Sequence, residues 1–189
     1  MKFRWLVALL LTCAPAKAQT PAPTYAAMQG LTAPYATPQD LACITGASNK
    51  LIRVLHMVIT AQATSGNAEA VFTIIKRSTL NSGGTTTALT SVSYDDRNPP
   101  AAASVMLYTA APTTPGTLVG NVRGLAVPLT ATNGSPSPID LLSGMFPIND
   151  FTAQQPVTLT STEELCFNFG GVAVPSGGQF GYGFEWTER

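Results

Sequence analysis

The sequence predicts an all-β fold: a two-sheet antiparallel β-sandwich, jelly-roll-like, with roughly nine or ten strands. Three observations carry this. Apolar and β-branched runs of strand length recur from Asp40 to the end of the chain with turn residues between them. The closing segment QFGYGFEWT alternates without a break. No stretch shows the 3.6-residue period of an amphipathic helix. Regularly spaced strands joined by Gly- and Pro-containing turns are the pattern of sandwiches and jelly rolls.

Before that domain lie two segments of different character. Residues 1–18 open with two positive charges, Lys2 and Arg4, continue through an apolar run from Trp5 to Ala14, and close on Ala16-Lys17-Ala18. This is the layout of a secretory signal peptide cleaved near Ala18, too short to remain as a membrane span. It implies an exported protein: periplasmic, extracellular or surface-associated. Leu10-Leu11-Thr12-Cys13 resembles a lipoprotein box only loosely, because bulky residues stand where small ones are usual. Residues 19–39 are rich in Pro, Ala and Thr and carry no charge, and read as an extended arm or linker with Tyr25 and Tyr35 as its large anchors. Residues 40–189 form the sandwich domain.

Within that domain LACITG (41–46) leads through a Ser48-Asn49 turn to KLIRVLHMVITAQA (50–63), and a TSGN turn leads to AEAVFTIIKRSTL (68–80). NSGGTTT reads as a flexible crossing. ALTSVSYDDRNPPAA reads as an irregular connection, since Asp95-Asp96 and Asn98-Pro99-Pro100 break both periods. Further strands are expected at 103–110, 118–129, 138–142, 156–161, 163–170 and 179–187. In the last of these Phe180, Tyr182, Phe184 and Trp186 share one face, a core face by preference and a stacking platform if open. The 50–63 strand is apolar at both parities, so it either bulges or is covered on both sides.

Loss of Lys2, Arg4 and Lys17 with the signal leaves seven basic residues against ten acidic ones, a net charge of about −3. Nucleic acid and anionic membranes both call for clustered Lys and Arg, so neither is an expected partner. Cys43 and Cys166 remain as an even pair in an oxidising compartment, and a disulfide is the default reading. Parity supports it. Leu165, Phe167 and Phe169 share the apolar face of their strand, so Cys166 points away from the core, and Cys43 does the same if Ile44 points in. Two such cysteines meet only if their strands are neighbours in one sheet.

No catalytic constellation is legible, and no metal or cofactor is expected. The single histidine, His56, lies in mid-strand, and GxSxG, SxxK and HExxH are absent. Glu163 and Glu164 are adjacent and point to opposite faces of a strand, which does not make a glycosidase pair. Asp95-Asp96 with Asn98 could hold Ca²⁺ but reads better as a solvated turn. Gly83-Gly84 lacks the Lys and helix of a phosphate loop, and Asn133-Gly134-Ser135 is a frequent chance match to a glycosylation acceptor.

The runs Lys76–Gly84, Thr87–Val92, Tyr108–Thr113 and Glu185–Glu188 resemble those of a family of uncharacterised β-sandwich proteins of bacterial genomes and prophages, across residues 40–189. The resemblance implies a virion or surface structural role and carries no functional residue. A virion protein assembled in the cytoplasm needs no signal peptide, which favours an exported bacterial relative. The expected function is therefore that of a non-enzymatic structural or interaction protein, which self-associates or binds protein partners at the cell surface through strand edges and the N-terminal arm. The alternatives are a carbohydrate-binding module, using Tyr94, Tyr108 and Trp186 as stacking aromatics, a phage decoration or tail protein, and a hydrolase whose site is not legible.

Overall fold

A computed structural model describes residues 22–64, 67–130, 139–140 and 156–189. Among them lie twelve strands: β1 (Thr24–Thr32), β2 (Asp40–Thr45), β3 (Ile52–Ala63), β4 (Asn67–Arg77), β5 (Thr85–Leu89), β6 (Val92–Ser93), β7 (Ser104–Ala110), β8 (Leu118–Thr130), β9 (Ile139–Asp140), β10 (Val157–Leu159), β11 (Glu164–Asn168) and β12 (Gly178–Glu188). They form two antiparallel sheets packed face to face, a β-sandwich with no helix among the described residues. The first sheet runs β10-β3-β12-β1-β6 with β9 also on β3, and the second runs β5-β7-β2-β11-β4-β8.

The core lies between the sheets and is built from the alternation the sequence displays. On β12, Phe180, Tyr182, Phe184 and Trp186 all point inward and are buried. Phe180 meets Phe72 of β4 edge-on at 5.0 Å, and Phe184 meets Phe167 of β11 at 5.4 Å, so these rings join one sheet to the other. Trp186 stacks on Tyr25 at 5.8 Å and donates its indole N–H to the buried Glu188 carboxylate. Glu188 also takes the backbone N–H groups of Ala102 and Ala103, which satisfies its charge inside the sandwich.

The mixed parity of β3 is a bulge. His56 pairs with Glu185 and Val54 with Trp186, so Leu55 is the extra residue between them. The inward set changes phase there, from Ile52 and Val54 to Met57, Ile59, Ala61 and Ala63, all buried.

Stretches expected to be irregular form three strands, one of them β6 within the ALTSVSYDDRNPPAA connection, paired with β1. Part of the 19–39 arm is β1, paired along β12 from Thr24↔Thr187 to Thr32↔Phe180, with Tyr25 and Ala27 in the core. The reason is the placement of the prolines. Pro21 and Pro23 precede the strand and Pro34 and Pro38 follow it, so the segment between keeps every N–H the ladder needs. TTTAL, read within the crossing and the connection after it, pairs with β7 as β5. The expected strand at 138–142 is seen as Ile139–Asp140 on β3; the signal segment, Cys13 and Asn133-Gly134-Ser135 lie outside the described residues.

Candidate functional site

Two places gather chemistry, one buried and one open. The buried one is built on the disulfide. β2 and β11 are neighbours, with Leu165 opposite Ile44 and Phe167 opposite Ala42, and this register sets Cys43 directly opposite Cys166. The two are bonded, with Cα atoms 4.1 Å apart, slightly closer than the usual lower bound of about 4.4 Å. Both point to the outer side of the second sheet, yet both are fully buried. Ile75, Tyr108 and the half-buried Tyr35 pack around them.

A knot of polar groups surrounds the pair. Arg77 donates from Nε and Nη2 to Asp40 Oδ2 at 3.0 and 2.9 Å, from Nη1 to the Gly116 carbonyl, and lies 3.8 Å from Glu164 Oε1. Asn81 donates Nδ2 to Asp40 Oδ2 and its backbone N–H to Glu164, and accepts the Gly116 N–H; Asn168 donates to Asp40 Oδ1. Gly116 must be glycine for this approach, because a Cβ there would stand 1.9 Å from the Thr79 carbonyl oxygen. Asp40, Cys43, Glu164 and Cys166 place their donor atoms within 4.8 Å of one another. With both sulfurs bonded together and Arg77 between the carboxylates, this is an ion-pair network holding the 78–82 and 114–117 loops over the disulfide. Glu163, next in sequence, turns the other way to Lys76 and Thr160, so the two glutamates diverge as their parity requires.

Two carboxylates share one guanidinium here, and burial, with Asp40 nearby, pushes the Glu164 pKa up to about 7, against the pull of the Asn81 N–H and Arg77. The folded state therefore keeps a proton on Glu164 that the unfolded chain releases near pH 4.5. This group's contribution to stability is complete below about pH 4.5, falls as pH rises to about 7, and is constant above. Its size is on the order of 3 kcal/mol. We expect Glu164→Gln to remove that component: the wild-type minus mutant difference in urea stability should shrink between pH 4.5 and 7, and an invariant difference would refute it.

The open place is the outer face of the first sheet. Met28, Val92 and Tyr94 are exposed there on β1, on β6 and just after β6. Tyr94 donates its hydroxyl to Glu185 Oε1 of β12 at 2.6 Å, and this bond, together with desolvation, pushes the phenol up to about 12. Beside it an open cleft of about 570 Å³ is lined by Pro23, Thr24, Tyr94, Asp95, Arg97 and Asn98. Asp95 takes the Arg97 backbone N–H and Nε on Oδ1 and Nη2 on Oδ2, so the carboxylate suggested for Ca²⁺ is engaged by its own loop.

Of the three aromatics proposed for ligand stacking, Tyr94 alone is open. Trp186 is a core residue, carried inward by the β12 alternation. Tyr108 points to the outer face of the second sheet but is covered with the disulfide. His56 is half-buried in mid-strand opposite Glu185. Among the described residues no helix is long and apolar enough to cross a membrane. Comparison with family models, with curated proteins and with solved structures finds no match to this chain.

Proposed function

We propose that this chain is an exported, non-enzymatic structural protein that assembles through its strand edges. The observation that carries the reading is β8. It is a 13-residue strand at the end of its sheet, paired on one side with β4 and, among the described residues, with no strand on the other. Its only charged side chain is Arg123, and Leu118 and Val119 are exposed beside it. Long edge strands with little charge are templates for pairing with another chain; β8 bulges against β4 at Val119 and Val122 and carries Pro128, so Arg123–Val127 is the regular stretch it offers.

The disulfide supports export, since such bonds persist in oxidising compartments. The non-enzymatic reading is supported by the way the polar groups are committed: Asp40, Arg77, Glu164 and Asn81 bond one another, and Glu188 holds the indole and two backbone N–H groups. Over Thr24–Thr32 the N-terminal arm is engaged within its own sheet, which turns the reading from the arm toward the strand edges. Light scattering coupled to size exclusion on residues 19–189 should show concentration-dependent oligomers that Val119→Lys weakens. A strict monomer up to high micromolar concentration would sink the reading.

A further inference from the structure

The cleft beside Tyr94 brings together a tethered aromatic ring, a self-neutralised ion pair and an amide. Tyr94 starts beyond β6, and its hydroxyl is bonded to Glu185 on β12, with β1 lying between those strands. Strands stand about 4.8 Å apart, so the side chain has to lie along the sheet across β1 rather than rise from it. Small Ala26, opposite both Glu185 and Val92 in the ladders, makes room for it. Tyr94 remains 61% exposed, with Met28 and Val92 exposed on the same face.

The loop that follows is equally fixed. Ser93 Oγ donates to the Asp95 carbonyl, the Asn98 N–H donates to the same carbonyl, and Asn98 Nδ2 donates to Ser93 Oγ. The Asp95–Arg97 pair is bidentate and cancels its own charge, while the Arg97 side chain stays 87% exposed. Its Nε and Nη2 are taken by Asp95, and Arg97 and Asn98 both line the cleft.

We infer that this cleft binds a neutral oligosaccharide, with one pyranose ring stacked on Tyr94. An aromatic face is electron-rich and attracts the C–H edges that a gluco-configured sugar turns to one side. The neighbouring hydroxyls of such a sugar both donate and accept, matching the paired Asp95–Arg97 groups and the Asn98 amide. A phosphate or an acidic sugar is disfavoured, because Glu185 and Asp95 leave no uncompensated positive charge in the cleft. An apolar peptide anchor is disfavoured too, since hot spots of that kind sit in dry, closed pockets and this cleft is open and polar-rimmed. The site lies apart from β8, which belongs to the other sheet. With one aromatic and an open cleft, affinity should be weak, with Kd of about 0.1–1 mM.

The test is calorimetric titration of residues 19–189 with cellohexaose, chitohexaose and, as an anionic control, polygalacturonate, with oligomeric state measured in parallel. Cellohexaose or chitohexaose should bind, with Tyr94→Ala weakening binding at least tenfold. Tyr94→Phe should cost about two- to fourfold, since the ring stays and only the tether to Glu185 is lost. Both variants should melt like the wild type. Absence of binding by both neutral sugars at about 5 mM, equal binding by Tyr94→Ala, or preference for polygalacturonate would each overturn the proposal. Loss of self-association in Tyr94→Ala with sugar binding unchanged would also overturn it, and would assign the face to a protein partner.

Discussion

Replacing Cys43 and Cys166 together by alanine should cost about 5 kcal/mol of stability and lower the melting temperature by about 10–20 °C. The bond joins residues 123 apart in sequence, and in the chain-entropy account a loop of that size restricts the unfolded ensemble strongly. It also ties β2 to β11, the two central strands of the second sheet, whose other neighbours are β7 and β4. β2 follows directly on the segment anchored by Tyr35, whose hydroxyl donates to the Asp40 carbonyl and accepts the Gln39 N–H. Untying the pair should therefore make residues 22–46 the first part of the domain cut by protease. Reductant should have the effect of the double mutant only under denaturing conditions, since both sulfurs are fully buried. Two free thiols in the unreduced protein, or a melting temperature unmoved by the double substitution, would contradict the prediction.

The parts of this fold legible in the sequence are those where a residue's neighbours in the chain settle its direction. QFGYGFEWT declares its inner face by alternation alone, and ELCFNF does the same, which is why the partnership of Cys43 and Cys166 could be read before any sheet was known. β1 was hidden by composition: prolines crowd both of its ends, and averaging over them obscures the proline-free interior that pairs with β12. The buried ion network was hidden for a different reason. Arg77, Asp40, Asn81 and Glu164 each look like surface residues, and only the register β2-β11-β4, which sets Glu164 beside both Thr45 and Arg77, gathers them. One signal was present, because Glu164 and Asn168 share the parity of Cys166, so whatever covers the disulfide must meet them. Exposure of the aromatics was not legible at all. Tyr94 and Tyr108 differ in the loops that cross above them, and loop paths are not written in strand periodicity.

Those loops make Arg77 the residue whose loss should be felt most after the disulfide. Arg77→Met should destabilise the protein by about 3–5 kcal/mol, because it leaves Asp40 and Glu164 buried beside each other with no cation. It also frees the Gly116 carbonyl, which holds the 114–117 loop in place. The loss should depend on pH in a definite direction. Arg77 pulls the Glu164 pKa down while burial and Asp40 push it up, so removing the guanidinium raises it further. The mutant then suffers more at pH 8, where ionisation of Glu164 is demanded against two unfavourable influences, than at pH 5, where the folded state keeps its proton. Arg77→Lys should rescue little, because an ammonium cannot bring two donors to Asp40 Oδ2 and a third to the Gly116 carbonyl in the guanidinium's geometry. Neutralising the partners as well, in Asp40→Asn/Arg77→Met/Glu164→Gln, should recover much of the stability, since a buried ion network is expensive to break and cheap to replace whole. Urea titrations at pH 5 and pH 8 decide the matter. A cost below about 1 kcal/mol for Arg77→Met, or a larger loss at pH 5 than at pH 8, would show that Arg77 is not what holds the two carboxylates together.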